Sequence, residues 1–455
     1  MLRRATSLCT ALLAVCLLTG SAPATREDDD RPAPVAVPSG MGAPRVDVER
    51  PVEFVPLRER APRIWRLPSF QALVDAAPAG STLTPPPGAY AGPVLVTKPL
   101  VIDGRGKVSI DGGDRGTVFV LQTDHAVLRG LHLQGSGSSH DSDDACLNVR
   151  GSHDVIEGLT LDNCLFGIDL KQANDNVVAH NKVRSKPVEL GMRGDGIRLW
   201  YSMRNRIEAN EVTDSRDTVV WYSSDNVFRG NIGRRNRYSM HFMFSHRNEV
   251  VDNRFYDSAV GVYLMYTEGT NLRHNVISHA MGSAGMAIGF KEASDSIVED
   301  NELIYCAIGI GSDVSPFQPD TTIQIRRNHI AYNGIAVLLT TALGGTIVTG
   351  NTFEGNLTNV AVGARSATNA NVWHGNYWDD YEGFDRNHDG VGDRPYDLYT
   401  YADRIWMEFP TARFFATSPA LELLDFLERL APFTSPDRLV RDDAPRFTRP
   451  KAARP

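Results

Sequence analysis

An asparagine returns in this chain every twenty-odd residues, each time inside the same short hydrophobic frame. It stands at Asn181, Asn210, Asn231, Asn253, Asn275, Asn301, Asn328, Asn351 and Asn376, at spacings of 29, 21, 22, 22, 26, 27, 23 and 25 residues. Three residues before each stands an apolar side chain: Val178, Ile207, Phe228, Val250, Leu272, Val298, Ile325, Val348 and Trp373. Two residues after each stands another, except at Gly233. The segments LRGLHL around Gly130 and IEGLTL around Gly158 carry the same frame without the amide. A repeat of this length, made of short strands with no helical pattern between them, is a solenoid. The predicted fold is all-β: a right-handed, single-stranded parallel β-helix of ten coils or more, stacked at about 4.8 Å, with short helical caps. Asparagine tolerates the left-handed backbone of a tight corner, and stacked amides hydrogen-bond from coil to coil. The nine are therefore expected along one corner.

With 455 residues and 42% apolar content the chain can bury a large core, and the repeat argues for one elongated body over two globular domains. A net charge of −8 with scattered Lys and Arg leaves no basic stripe, so nucleic acid is not expected as a partner. Arg3 and Arg4, the apolar stretch Leu8–Leu18 and Ala22-Pro23-Ala24 read as a cleaved export signal over residues 1–24. That stretch is too short for a membrane span of about 20 residues, and no later segment suits one. Cys9 and Cys16 leave with the signal. Cys146, Cys164 and Cys306 remain with no Cys-x-x-Cys spacing, which fits one disulfide or buried free thiols.

Residues 25–66 are rich in Pro and charge and read as a linker. A short helix capped by Ser69 is expected to cover the first coil, and the β-helix to run over residues 67–378. Residues 379–435 break the repeat and read as a C-terminal cap. In it, Leu421, Leu424, Leu427 and Leu430 are spaced for one face of a helix over Ala420–Leu430. Residues 436–455 read as a flexible tail.

Counting back from each Asn carries register between coils. Ten residues back lie Trp200, Trp221, Met243 and Met265; twelve back lie Arg198, Val219, His241 and Tyr263. The intervening Leu199, Val220, Phe242 and Leu264 are apolar and should face the core, which turns the other set outward. His241 and Met243 then share a face, with Met265 beside Met243. Imidazole and thioether ligands suit monovalent copper; an aromatic and Met patch that binds a partner by burial fits the same residues. A second constellation is Asp385, Asn387, Asp389, Val391 and Asp393. Oxygen ligands at loop positions 1, 3 and 5, Gly at 6 and a carbonyl at 7 reproduce the first half of a calcium loop, although position 12 is Tyr396. The alternative is a turn without an ion. Asp143, Asp144, Asp195, Arg216, Asp217, Lys291, Glu292 and Asp313 offer the residue types of a carbohydrate-active β-helix, a lyase, hydrolase or epimerase. They lack its accompanying motifs and read as turn-forming, solvated charges, so no catalytic residue is expected.

The wording of the coils points further. The strings RGDGIRLWYS, SRDTVVWYS, RYSMHFMFS, VGVYLMYT and GMAIGFKEASD resemble the NosD family of exported β-helix proteins. So do DVSPFQPDTT at Asp313–Thr322, GNYWDDYEGFDRNHDGVGDRPYDLYTYADRIWME at Gly375–Glu408, and LLDFLERLAPF at Leu423–Phe433. The resemblance runs in order over roughly residues 67 to 443. It implies a non-catalytic periplasmic accessory protein that assists copper delivery and maturation of nitrous oxide reductase. It further implies as partners an ABC transporter permease and ATPase, a copper-chaperone lipoprotein and the reductase. No metal ligand is carried over from the resemblance.

Overall fold

The computed structural model describes residues 66–341, 343–362, 371–399 and 438–449, with residues 64, 418, 419, 423 and 427. The export signal, nearly all of the linker and the Ala420–Leu430 segment, apart from Leu423 and Leu427, lie outside the described residues. The hydrophobic frame folds as its spacing predicts. Strands centred on Ile156, Val178, Ile207, Phe228, Val250, Leu272, Val298, Ile325, Val348 and Trp373 pair in parallel, coil on coil. Beyond the Asn corner, Leu161, Val183, Val212, Gly233, Phe255, Ile277, Leu303, Ile330, Phe353 and Trp378 stack in the same way. These two faces form one 26-stranded sheet, and a third strand from each coil enters a separate sheet of 12 parallel strands. The inward side chains of all three faces make one continuous buried core. The chain is a parallel β-helix.

The amide ladder holds the register. From Asn181 to Asn351, each Asn donates its backbone N–H and its Nδ2 to Oδ1 of the next, at 2.9–3.0 Å. The nine asparagines are buried, so each such bond adds about 1 kcal/mol net, and a missing partner costs more than that. The asparagines are not, however, the left-handed residues of the corner. That conformation falls one position earlier, at His180, Ala209, Gly230, Asp252, His274, Asp300, Arg327, Gly350 and Gly375, with φ from 51° to 66°. Asn is required here for its two-sided amide rather than for its backbone tolerance.

The ladder needs an acceptor at its end, and Asp442 supplies one. Its Oδ2 accepts the N–H and Nδ2 of Asn376 at 2.9 Å and the indole N–H of Trp378 at 3.3 Å, while Oδ1 accepts the Gly375 N–H at 2.9 Å. Asp442 is fully buried at the end of the strand Arg438–Asp442, which also pairs antiparallel with Tyr396–Tyr399. This corrects the loose tail expected after residue 436. At the other end, the helix Phe70–Ala76 buries Phe70 and Val74 over the first coil, with Phe70 edge-on to Tyr90 at 5.4 Å. Ser69 holds the N-cap position but its hydroxyl makes no capping bond; its backbone bridges to Ala91. Cys146 and Cys164 form a disulfide, and Cys306 is a free thiol that burial pushes up to about 11.

A second ladder, which the sequence pattern did not announce, climbs another corner. The backbone N–H of Asn226, Asn205, Asn176 and Asp154 donate in turn to the side-chain oxygens of Asn248, Asn226, Asn205 and Asn176 at 2.8–2.9 Å. Asp154 then accepts the Ala126 N–H at 2.7 Å. Asp154 is fully buried and its Oδ2 has no hydrogen-bond partner among the described residues. Burial lifts its carboxyl to about 7, against the Ala126 N–H and with help from nearby Asp124. A folded-state pKa raised above the unfolded value of about 3.9 means that folding is favoured by protonation and loses stability as pH rises through the window between them. Asp154→Asn, whose amide suits the ladder without ionising, should raise the melting temperature at pH 8 by about 2–4 °C and leave it nearly unchanged at pH 4. Melting curves at the two pH values check this; an equal shift at both would contradict it.

Candidate metal centre

The longer connections of the described β-helix gather beside the twelve-stranded sheet. Residues 135–144, 186–196 and 279–285 lead into it, and residues 314–322 lead out, whereas the Asn corner is turned in two residues from Ala179 to Lys182. In a solenoid, insertions that collect on one face mark the face that binds. The outward side chains of this sheet therefore form the candidate binding face.

Register along it matches the count from the asparagines. One column runs Trp200, Trp221, Met243, Met265 and Lys291, and its neighbour Arg198, Val219, His241, Tyr263 and Gly289. Leu199, Val220, Phe242 and Leu264 between them are fully buried. Trp200 and Trp221 meet edge-to-face at 4.6 Å. Beside them Tyr201, Tyr222, Phe244 and Tyr266 stack ring on ring at 4.9, 5.0 and 4.7 Å.

His241 is closely held on this face. The coil that carries it has one residue more than the coil before: Asp217 pairs with Tyr238, yet Val219 pairs with His241. Such a bulge re-aims the side chains next to it. The imidazole stacks on Tyr238 at 4.7 Å and 21°, and Tyr263 approaches at 6.1 Å and 70°. Nδ1 lies 3.7 Å from Asp217 Oδ2 on the preceding coil. Nε2 lies 3.2 Å from Met265 Sδ on the following coil. The structure thus brings His241 and Met265 together and sets Met243 in register beside Met265. A closed-shell ion sits at roughly 2.0 Å from an imidazole nitrogen and roughly 2.3 Å from sulfur. An opening of the N···S pair by less than about 1 Å would admit one, so the donor set fits a soft cation.

Two of the acidic residues on this face, Asp195 and Asp217, are not the solvated charges expected of them, whereas the Asp313 side chain is exposed. Asp195 and Asp217 are buried, paired with Arg216 and Arg237 from the coil after each. Burial pushes the Asp195 carboxyl up to about 6, opposed by Arg216 and aided by Asp217. Burial also acts upward on Asp217, but His241 and Arg237 outweigh it and hold that carboxyl below the usual range. Further along, Asp169 is buried between Arg198 and Lys171. Sequence reading missed Asp217 as the neighbour of His241. The signal was there: the Asn spacing grows from 21 to 22 residues between these coils, and that added residue is the bulge.

The Asp385–Asp393 loop closes on its own backbone. Asp385 accepts the N–H groups of Asp389 and Gly390 at 3.2 and 2.9 Å, and Asp389 accepts that of Val391 at 2.8 Å. Asn387 Nδ2 donates to Asp389 at 2.9 Å. Asp393 turns to the Arg386 N–H at 2.7 Å. Among the described residues, no group of three or more His, Cys, Asp or Glu side chains is arranged to hold a metal. The His241 cluster is of another kind, since its remaining donors are thioethers.

Comparison with known proteins agrees with the wording of the coils. Residues 184–383, which include His241, Met243 and Met265, match the family described as periplasmic copper-binding protein (NosD). A Pseudomonas aeruginosa protein named probable ABC transporter binding protein NosD is 27% identical over 88% of this chain and 92% of its own length. A Stutzerimonas stutzeri protein of the same name is 25% identical over 80% of this chain and 88% of its own. Among solved structures, the A-module of the mannuronan C-5 epimerase AlgE6 of Azotobacter vinelandii superposes with a TM-score of 0.53 at 14% identity. It covers 66% of this chain and 93% of that module, a likeness of fold alone. With residues 184–383 matched by the family and both relatives aligned over most of their length, this β-helix is similar to the NosD proteins.

Proposed function

We propose that the chain is an exported, non-catalytic copper-handling protein that binds monovalent copper transiently through His241, Met243 and Met265. One observation carries the reading: His241 Nε2 faces Met265 Sδ at 3.2 Å, with Met243 in register alongside. A thioether has no proton to give and accepts only weakly, so in either tautomer this pairing leaves a largely buried imidazole nitrogen without a good partner. As two soft donors around one soft ion, the arrangement is favourable. The family description as periplasmic and copper-binding supports the cargo and the compartment, and the basic and apolar N-terminal pattern supports export. No helix of the described residues is long and apolar enough to cross a membrane.

The role we assign is assistance in copper delivery to nitrous oxide reductase during its maturation. The partners are an ABC transporter permease and ATPase and a copper-carrying lipoprotein; the relatives' names as ABC transporter binding proteins support the first of these. The Asp195 and Asp217 carboxylates are engaged by arginines, which favours this reading over sugar-acid chemistry on the same sheet. In the loop after residue 384 the reading of a structural calcium site at Asp385, Asn387, Asp389, Asp393 and the Val391 carbonyl is supported by the sequence pattern alone. The carboxylates would have to leave their present backbone N–H partners to hold the ion.

Two measurements test these assignments. Replacing His241, Met243 and Met265 together by Ala should leave the β-helix folded, because none of the three belongs to its continuous core, and weaken cuprous binding by more than roughly tenfold, or about 1.4 kcal/mol. Copper loading of the reductase should fall with it. Unchanged copper uptake with lost partner binding would leave only a docking patch, and unchanged values of both would remove the assignment. Calcium should raise the melting temperature of the wild-type chain relative to chelator, and Asp389→Ala should abolish the shift; identical wild-type melts with calcium and chelator would reduce the loop to a turn.

A further inference from the structure

We infer that Asp217 is a positioning residue for the metal centre: it holds the His241 proton on Nδ1 and so leaves the Nε2 lone pair facing Met265. The inference rests on the reading of His241 as a ligand. Asp217 lies one coil before His241, is 1% exposed, and places Oδ2 3.7 Å from Nδ1. At 3.7 Å the pair is longer than a hydrogen bond, but a buried carboxylate at that distance still favours a proton over a lone pair on the nitrogen that faces it. Histidines that bind metals commonly have a carboxylate behind their second nitrogen, which fixes both tautomer and ring orientation, and Asp217 stands in that place.

The carboxylate is itself fixed. Arg237 donates Nε–H to Oδ1 at 2.9 Å and also engages Oδ2, and the Tyr238 N–H reaches Oδ1 at 3.2 Å. The Arg237 guanidinium lies 5.0 Å from the centre of the Tyr238 ring, and that ring stacks on His241. Asp217, Arg237, Tyr238 and His241 thus form a closed brace. The bulge is what allows it, because a regular strand would not bring both Tyr238 and His241 back onto the Asp217 coil. The brace gives the imidazole a carboxylate on one nitrogen and a thioether on the other.

Asp217→Asn separates this role from a merely structural ion pair. The Asn oxygen would be kept by the Arg237 Nε–H and Tyr238 N–H, two donors against the one that Arg237 Nη2 now gives to Oδ2 and would have to withdraw, which places its amide N–H toward His241 Nδ1. The proton then belongs on Nε2, pointing at Met265, as happens when the aspartate behind a catalytic histidine is made asparagine. Side-chain 15N NMR of the full-length protein without metal should show the Nδ1–H tautomer of His241 in the wild type and the Nε2–H tautomer in Asp217→Asn. Competition for cuprous ion against a chelator of known affinity should show about 10–100-fold weaker binding in the variant. An Nε2–H tautomer in the wild type, or the same tautomer and affinity in both proteins, would overturn the assignment. Should the variant not fold, the wild-type tautomer alone decides. His241→Ala keeps the two claims apart: wild-type cuprous affinity in that variant removes the metal reading whatever the tautomer. Lost affinity there, with an Nε2–H wild type, removes only the role of Asp217.

Discussion

A primary amide accepts on one side and donates on the other, and this molecule uses that asymmetry to space its coils. Each ladder Asn accepts from the coil before and donates to the coil after, and its second Nδ2 hydrogen goes to a strand carbonyl of the preceding coil, as from Asn210 to Val178 at 2.9 Å. A slip of one residue would leave buried donors and acceptors unmatched along the corner, at about 1–3 kcal/mol for each one lost. It would also turn every strand's apolar side chains outward. The ladder therefore sets which residues share a column on the opposite, twelve-stranded face. Asp442 completes it with a carboxylate, which can accept from several donors and needs to give nothing onward.

The arrangement proposed as a metal centre follows from that register and from one departure from it. Uniform stacking places Met243 beside Met265 and Trp200 beside Trp221. The added residue in the His241 coil breaks uniformity locally and draws Tyr238, Asp217 and Arg237 around the imidazole. Rigid neighbours hold the imidazole, while the long methionine side chains keep the adaptability that the proposed transient ion would need.

Much of this was legible in the sequence because a solenoid repeats its physics. The apolar frame and the Asn period gave the parallel coils, the inward Leu199, Val220, Phe242 and Leu264, and the columns above His241, Met243 and Met265. What escaped depended on contacts that do not repeat. The corner's left-handed residue is as varied as Ala209, Asp252 and Arg327, so it has no signature, and the Asn beside it drew the wrong explanation. Asp442 lies 66 residues beyond Asn376, past the end of the period, and reads locally like any charged tail. Asp195 and Asp217 looked like turn residues because their arginine partners arrive from the next coil. The sequence left the three cysteines open between a disulfide and free thiols because spacing alone does not say that Cys146 and Cys164 meet across 18 residues.

The central claim is that a single soft ion is held by one imidazole and the neighbouring thioethers. Copper K-edge X-ray absorption on the full chain loaded with one equivalent of cuprous ion tests it most directly. The account predicts a mixed shell, with nitrogen scattering near roughly 2.0 Å and sulfur near roughly 2.3 Å, and loss of the nitrogen component in His241→Ala. A shell of nitrogen and oxygen alone, or a mixed shell that His241→Ala and Met265→Ala leave untouched, would contradict it.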